Sequence, residues 1–194
     1  MKHLKYKQMP LLLMLMLTFL GCSDDGDLEV NEQVESRYSF TYDGSDYTVV
    51  KEAISWQEAF TKASEDGGYL AEISSEEEQV AILSELLTNA GIYFDKTNNQ
   101  FGFAAVWIGG NDEENEGAWV WKKVAEETGK QFWQGAVDGT VVNGLYNNWG
   151  NEPDNNGNQD ALCVGLEATP INAVGKWTDL GSSENSLFYL IEYD

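Results

Sequence analysis

The sequence predicts an α+β domain, on three observations. Two segments between Ser55 and Leu87 carry helix-capping residues followed by apolar side chains at helical spacing. Around them, short runs rich in aromatic and β-branched residues have the composition of strands. The strands are separated by polar, glycine-bearing stretches without periodicity, which fit neither element.

The first strand pair is predicted over YSFTYDGSDYTVV, Tyr38 to Val50, where aromatic and β-branched residues flank an Asp43-Gly44 turn. Ser55 then precedes WQEAFTKASEDGG with Glu58 three residues on, so that cap and helix each satisfy a backbone donor of the other. Trp56, Ala59, Phe60 and Ala63 fall on one face of this helix, and Gly67-Gly68 end it. After a short strand from Tyr69 to Ile73, Ser74 or Ser75 caps a second helix. Its buried side is predicted to hold Val80, Ile82, Leu83, Leu86 and Leu87, while Glu76, Glu77 and Glu78 favour its positive N-terminal end. From Thr88 to Ala105 the pattern weakens into a variable connection. Ala105 to Gly109 and Gly117 to Lys122 are strands, and Val124 to Asn147 is a long excursion. Ala161 to Leu166, Lys176 to Leu180 and Leu187 to Tyr193 are the closing strands.

The N-terminus has a different character. Met1 to Lys7 holds three lysines, Leu11 to Leu20 is an apolar run too short to cross a bilayer, and Gly21-Cys22 follows at once. Residues 1–21 are therefore expected to be a secretory signal peptide. A cysteine directly after the cut resembles the bacterial lipoprotein signal, with Phe19 where that signal prefers Leu. The resemblance implies that Cys22 is acylated and anchors the chain to a membrane. Ser23 to Ser36 carries six acids, no base and three aliphatic side chains, so residues 22–36 are expected to form a flexible tether. Ser23-Asp24-Asp25 resembles the acidic signal that sends lipoproteins of Bacteroidetes-like bacteria to the outer face of the outer membrane. The expected location is thus the outer membrane, facing the exterior, with a folded domain over residues 37–194.

Charge narrows the function. The net charge is −22 at pH 7, and loss of Lys2, Lys5 and Lys7 with the signal takes it to about −25. Such a chain repels phosphate backbones, which argues against nucleic acid and suits cations. The only histidine is His3, inside the signal, so histidine triads and histidine-ligated zinc are excluded from the mature chain. With Cys22 acylated, Cys163 has no disulfide partner and reads as a small buried hydrophobe.

Four blocks, in order, resemble the C-type lectin-like domain. SWQEAFTKASEDGGYLAEISSEEEQ is similar to its opening helix, glycine pair, strand and second helix. WIGGNDEENEGAWVW, Trp107 to Trp121, is similar to its strand, D-x-x-x-E-G turn and W-x-W return. NWGNEPD with KWTDL, and LFYLIEY as the last strand, complete the series. The resemblance runs from about Tyr38 to Asp194 and implies two helices flanking antiparallel sheets with a long irregular calcium-binding loop region. Trp56, Trp107, Trp119 and Trp121 then belong to the core and say nothing of a ligand. The family's two disulfides are missing here, Cys163 standing alone near one of their positions.

The resemblance also implies a site. Calcium-dependent members carry a Glu-Pro-Asn or Gln-Pro-Asp triplet around a cis proline, a further acid downstream, and an Asn-Asp pair on the next strand. Carried over residue by residue, Glu152, Asp154 and Asp160 are the loop ligands and Asp179 the strand ligand of a Ca²⁺ ion, all offering hard oxygens. In the family two vicinal sugar hydroxyls coordinate the same ion, with hydrogen bonds to its ligands. That makes Glu152, Asp154 and Thr178 the ligand-binding set, with Trp149 either stacking on a sugar face or anchoring the loop. The chain departs from the pattern at Asp154 and at Thr178, each of which removes an amide donor. A second calcium site is implied at Asp112, Glu116 and Asn155, with Ala161 where another acid is expected.

The function expected is that of a surface-anchored lipoprotein binding carbohydrate in a calcium-dependent manner, its partner a glycan. The alternative is an adhesion or protein-interaction module for a cell-surface protein, in which calcium is only structural. An enzyme is not expected: Glu152 and Asp160 are paired acids of the kind used in glycoside hydrolysis, but they lie on a polar loop without sign of a shielded cleft.

Overall fold

The computed structural model describes residues 36–92, 102–154, 159–169 and 172–194. The predicted signal, Cys22 and most of the tether lie outside them, as does Asn155. The opening hairpin is β1 (Arg37–Tyr42) and β2 (Ser45–Ile54), in register from Arg37↔Val50 to Tyr42↔Ser45. Asp43 and Gly44 make its turn at φ of 46° and 96°, the left-handed values that match strand twist in a two-residue loop. Helix α1 (Trp56–Glu65) starts at Ser55 with both halves of the capping box formed. Helix α2 (Glu76–Thr88) starts at Ser75, whose side chain accepts from the Glu78 N–H. Strand β3 between them is short, Tyr69–Leu70. The rest is β4 (Ala105–Asn111), β5 (Ala118–Trp121), β6 (Lys130–Gln134), β7 (Thr140–Val141), β8 (Ala161–Gly165), β9 (Trp177–Leu180) and β10 (Leu187–Tyr193).

The strands join in one path β1-β2-β10-β4-β5-β6-β7, with β3 paired to β10 and β8 lying between β4 and β9. Among the described residues all strand-to-strand pairings are antiparallel except β10 with β4, where Phe188 meets Val106 and Tyr189 meets Trp107. The sheet is therefore mixed rather than purely antiparallel as expected. At the centre both faces are covered, and successive residues enter opposite layers. Val106, Ile108, Leu162, Val164, Phe188 and Leu190 join Ile82 and Leu86 of α2 in one cluster. Trp107, Cys163, Leu187, Tyr189 and Ile191 join Trp56, Ala59 and Ala63 of α1 in the other. This two-sided burial is why these strands appear as unbroken apolar runs. Gly109 is needed where β3 crosses β4, since a Cβ there would sit 2.3 Å from the Leu70 carbonyl oxygen.

Three expectations need correction. The strand predicted to reach Ile73 ends at Leu70, because Ala71 donates to Leu190 of β10 while accepting from Gly109 of β4, splitting its bonds between two neighbours. The buried face of α2 is Glu78, Gln79, Ile82 and Leu86, whereas Val80 is 61% and Leu87 42% exposed. Polar partners turn the helix: Glu78 accepts from the Tyr47 hydroxyl at 2.7 Å, and Gln79 accepts from the Trp177 indole at 2.7 Å. The excursion from Val124 to Asn147 contains β6 and β7, and β6 buries Phe132 and Trp133 against β5. Too few apolar residues flank this pair for alternation to be visible.

Candidate metal centre

The site forms where β9 meets the segment leading to β8. Trp149 bridges Trp177 in parallel, Trp177 N donates to Asn148 O at 3.0 Å, and Gly150 N to Trp177 O at 3.4 Å. These bonds lay residues 148–150 alongside β9. The chain then passes through a cis Glu152–Pro153 peptide, as the family resemblance implies. Glu152, Asp154 and Asp179 come together here, one carboxylate oxygen of each lying within 4.8 Å of the others. Glu152 and Asp179 are buried and Asp154 is exposed, so the group opens to solvent on one side.

The electrostatics of this group are adverse unless something positive joins it. Both oxygens of Asp179 and Oε2 of Glu152 are buried without a hydrogen-bond partner. Burial, and then the Glu152 charge, push the Asp179 carboxyl up to about 8. Burial, and then the Asp154 charge, raise that of Glu152. A native fold rarely leaves such acceptors unmet, and orphaned carboxylate oxygens at this spacing fit a hard divalent cation.

The structure groups the other predicted residues differently. Asp160 is not among the carboxylates gathered with Glu152, Asp154 and Asp179. Its carbonyl accepts from Asp112 N at 3.3 Å, and its charge acts on Asp112 and Glu116. Asp112 is 2% exposed; one oxygen accepts from Gly117 N at 2.8 Å and the other has no partner. Burial first, and then the Glu116 and Asp160 charges, bring the Asp112 carboxyl up to about 7. The Asp160 and Glu116 charges thus both act on the buried Asp112 carboxyl.

Trp149 does not offer a face for stacking. It is buried, edge-on to Trp119 at 4.9 Å and to Trp177 at 6.1 Å, and stacked on Phe132 at 6.3 Å. It anchors the loop, one of the two roles foreseen. Thr178 is buried too, its hydroxyl accepting from Asn172 Nδ2 at 2.7 Å. Cys163 is a free, buried thiol donating to Thr178 O at 3.4 Å. Asn172 is the residue that sequence reasoning missed: it lies in PINAVG, where no spacing or charge marks it.

The fold and the sequence agree on a family. The Lectin C-type domain matches residues 52–189, and the chain belongs to that family. Halomucin of Haloquadratum walsbyi (strain DSM 16790 / HBSQ001) is 30% identical over 175 residues, 86% of this chain but 2% of its own length. This chain therefore spans only a small part of that relative. Human lithostathine superimposes with a TM-score of 0.57 at 18% identity, over 80% of this chain and 96% of its own. The carbohydrate-recognition domain of cow CD23, solved in the presence of a GlcNAc2Man3 oligosaccharide, gives 0.53 at 18% identity, over 81% and 92%. At these identities the likeness to the solved structures is one of fold.

Proposed function

We propose that the protein is a lipid-anchored surface lipoprotein whose C-type lectin domain holds calcium at Glu152, Asp154 and Asp179 and binds carbohydrate there. One observation carries the cation: three buried carboxylate oxygens of Glu152 and Asp179 without partners, next to a third carboxylate open to solvent. Bound there, Ca²⁺ supplies coordination positions that a vicinal diol can fill. Glu152 and Asp179 would hold the ion from the protein side, and Asp154 from the solvent side. A second ion would be held at Asp112 and Glu116, with Asn155 as the third ligand, supported by the unpartnered Asp112 oxygen. Anchoring through Cys22 and outward display are supported by the sequence of residues 1–25 alone. The domain is a binding module and not an enzyme in this reading, since the Glu152 group opens to solvent at Asp154 and not into a shielded cleft. The test is a glycan array in millimolar calcium, repeated in EDTA: hits abolished by EDTA are expected, and a broad array without hits would count against a lectin.

A second reading has observations of its own. Thr178 and Trp149 are buried, and Asp154 stands where an amide is usual, so few donors remain for a sugar. Calcium then acts as a brace for a surface that meets another protein. This reading predicts calcium-dependent thermal stabilisation with no sugar bound at any concentration tested.

A further inference from the structure

A cation site of this kind needs something to keep its two halves in place. Glu152 lies on the loop and Asp179 on β9, and like charges drive them apart. One side chain ties the two halves together. Asn172 is buried, and its Oδ1 accepts from the backbone N–H of Asn151, the residue before Glu152, at 2.7 Å. Its Nδ2 donates to the hydroxyl of Thr178, the residue before Asp179, at 2.7 Å. A single amide thus bridges the chain neighbours of both buried carboxylates.

The surroundings are built to hold that amide. Thr169 N donates to Asn172 O at 2.8 Å, and Asn172 N donates back to the Thr169 hydroxyl at 2.9 Å, so the backbone of Asn172 is held at both its N–H and its carbonyl. Glycine at 150 makes room for it, because a Cβ there would lie 1.5 Å from Asn172 Oδ1. Asn148 donates to Gly175 O at 2.9 Å and accepts from Lys176 at 2.8 Å, fastening the same two segments one step further out.

We propose that Asn172 is a positioning residue for the cation site: it holds the Glu152 loop against β9 so that the carboxylates are already gathered before the ion arrives. The inference rests on the cation reading and adds a residue that makes no contact with the ion. It also gives Thr178 a part other than ligand, as the anchor that receives the amide.

The test is calorimetric calcium titration of the purified chain and three variants, with near-ultraviolet circular dichroism to confirm folding. Asn172→Leu keeps the bulk and removes both bonds; its calcium affinity is expected to fall roughly 10–100-fold, as when partners that orient metal ligands are lost. Asn172→Asp keeps both bonds, one oxygen accepting from Asn151 N–H and the other from the Thr178 hydroxyl turned to donate. It is expected to bind calcium at least as well as the wild type. Thr178→Val removes one arm only and is expected to weaken binding about fivefold, the equivalent of one ordinary hydrogen bond. This variant carries the test if Asn172→Leu does not fold. Wild-type affinity in Asn172→Leu or Thr178→Val, or a loss in Asn172→Asp equal to that in Asn172→Leu, overturns the positioning role alone. A wild type that binds no calcium overturns the cation reading and this inference with it.

Discussion

Asp179 is under opposed demands. Its two oxygens are buried without partners beside Glu152, a costly arrangement for the folded chain alone and a favourable one around a cation. Asp179→Asn removes the ionisable group and sets an amide donor next to Glu152. In EDTA the variant is expected to be more stable than the wild type by about 1–3 kcal/mol, roughly 2–12 °C in melting temperature at this chain length. The rise that calcium gives the wild type should be absent from it. Differential scanning fluorimetry with and without EDTA reads both; a variant that melts lower in EDTA yet still responds to calcium would sink the ligand assignment. Of this site, the sequence made Glu152, Asp154 and Asp179 legible, since EPD and WTDL are contiguous motifs. Asp160 lies outside that group, and its backbone bond to Asp112 is one that no spacing reveals. Trp149 and Asn172 depend in the same way on partners far along the chain, Trp177 for one and Asn151 and Thr178 for the other.

Between elements, a second pair of buried acids is met by hydrogen bonds. Glu192 of β10 accepts from Glu72 N at 3.1 Å, and Glu78 at the start of α2 accepts from Tyr47. Burial chiefly, with Glu78 adding to it against the Glu72 hydrogen bond, raises the Glu192 carboxyl from 4.5 to about 7. A carboxyl raised on folding favours the native state only while protonated. Its contribution is thus present below about pH 4.5 and lost as pH rises through about 7. Glu192→Gln, which can still accept from Glu72 N–H, is expected to be more stable than the wild type at pH 8 by about 1–3 kcal/mol, with the difference gone near pH 4. Urea titrations at both pH values check this, and a variant less stable at pH 8 would show that the charged form is well accommodated. The polar partners of α2 also explain what was hidden at this scale. Ser55, Ser75 and the glycine stops act locally and were legible, whereas the rotation of α2 that exposes Val80 and Leu87 is set by Tyr47 and Trp177 on distant strands.

The order of blocks along the chain was enough to read the fold, because each block brings its own local pattern and the sheet joins them in a fixed sequence. Net charge is the property of the whole molecule that bears on function: at −22 the chain repels itself, and any salt relieves some of that repulsion. A calcium effect must therefore be separated from screening. In 150 mM sodium chloride the Debye length is already about 8 Å, so a further small rise in ionic strength changes little. With an affinity of roughly 10⁻⁴ M, toward the tight end for extracellular sites, 10 mM calcium is about 100 times the dissociation constant. It should then add about 2.7 kcal/mol, or roughly 5–11 °C in melting temperature. Magnesium, which gives up its water reluctantly and demands octahedral geometry, should do much less, and sodium chloride of matched ionic strength almost nothing. If all three salts raised the melting temperature alike, the acidic groups would be sharing a diffuse counterion cloud and not holding an ion. If calcium alone does so, and Asp179→Asn abolishes only that part, the effect belongs to the carboxylates gathered beside β9 and not to the charge of the molecule as a whole.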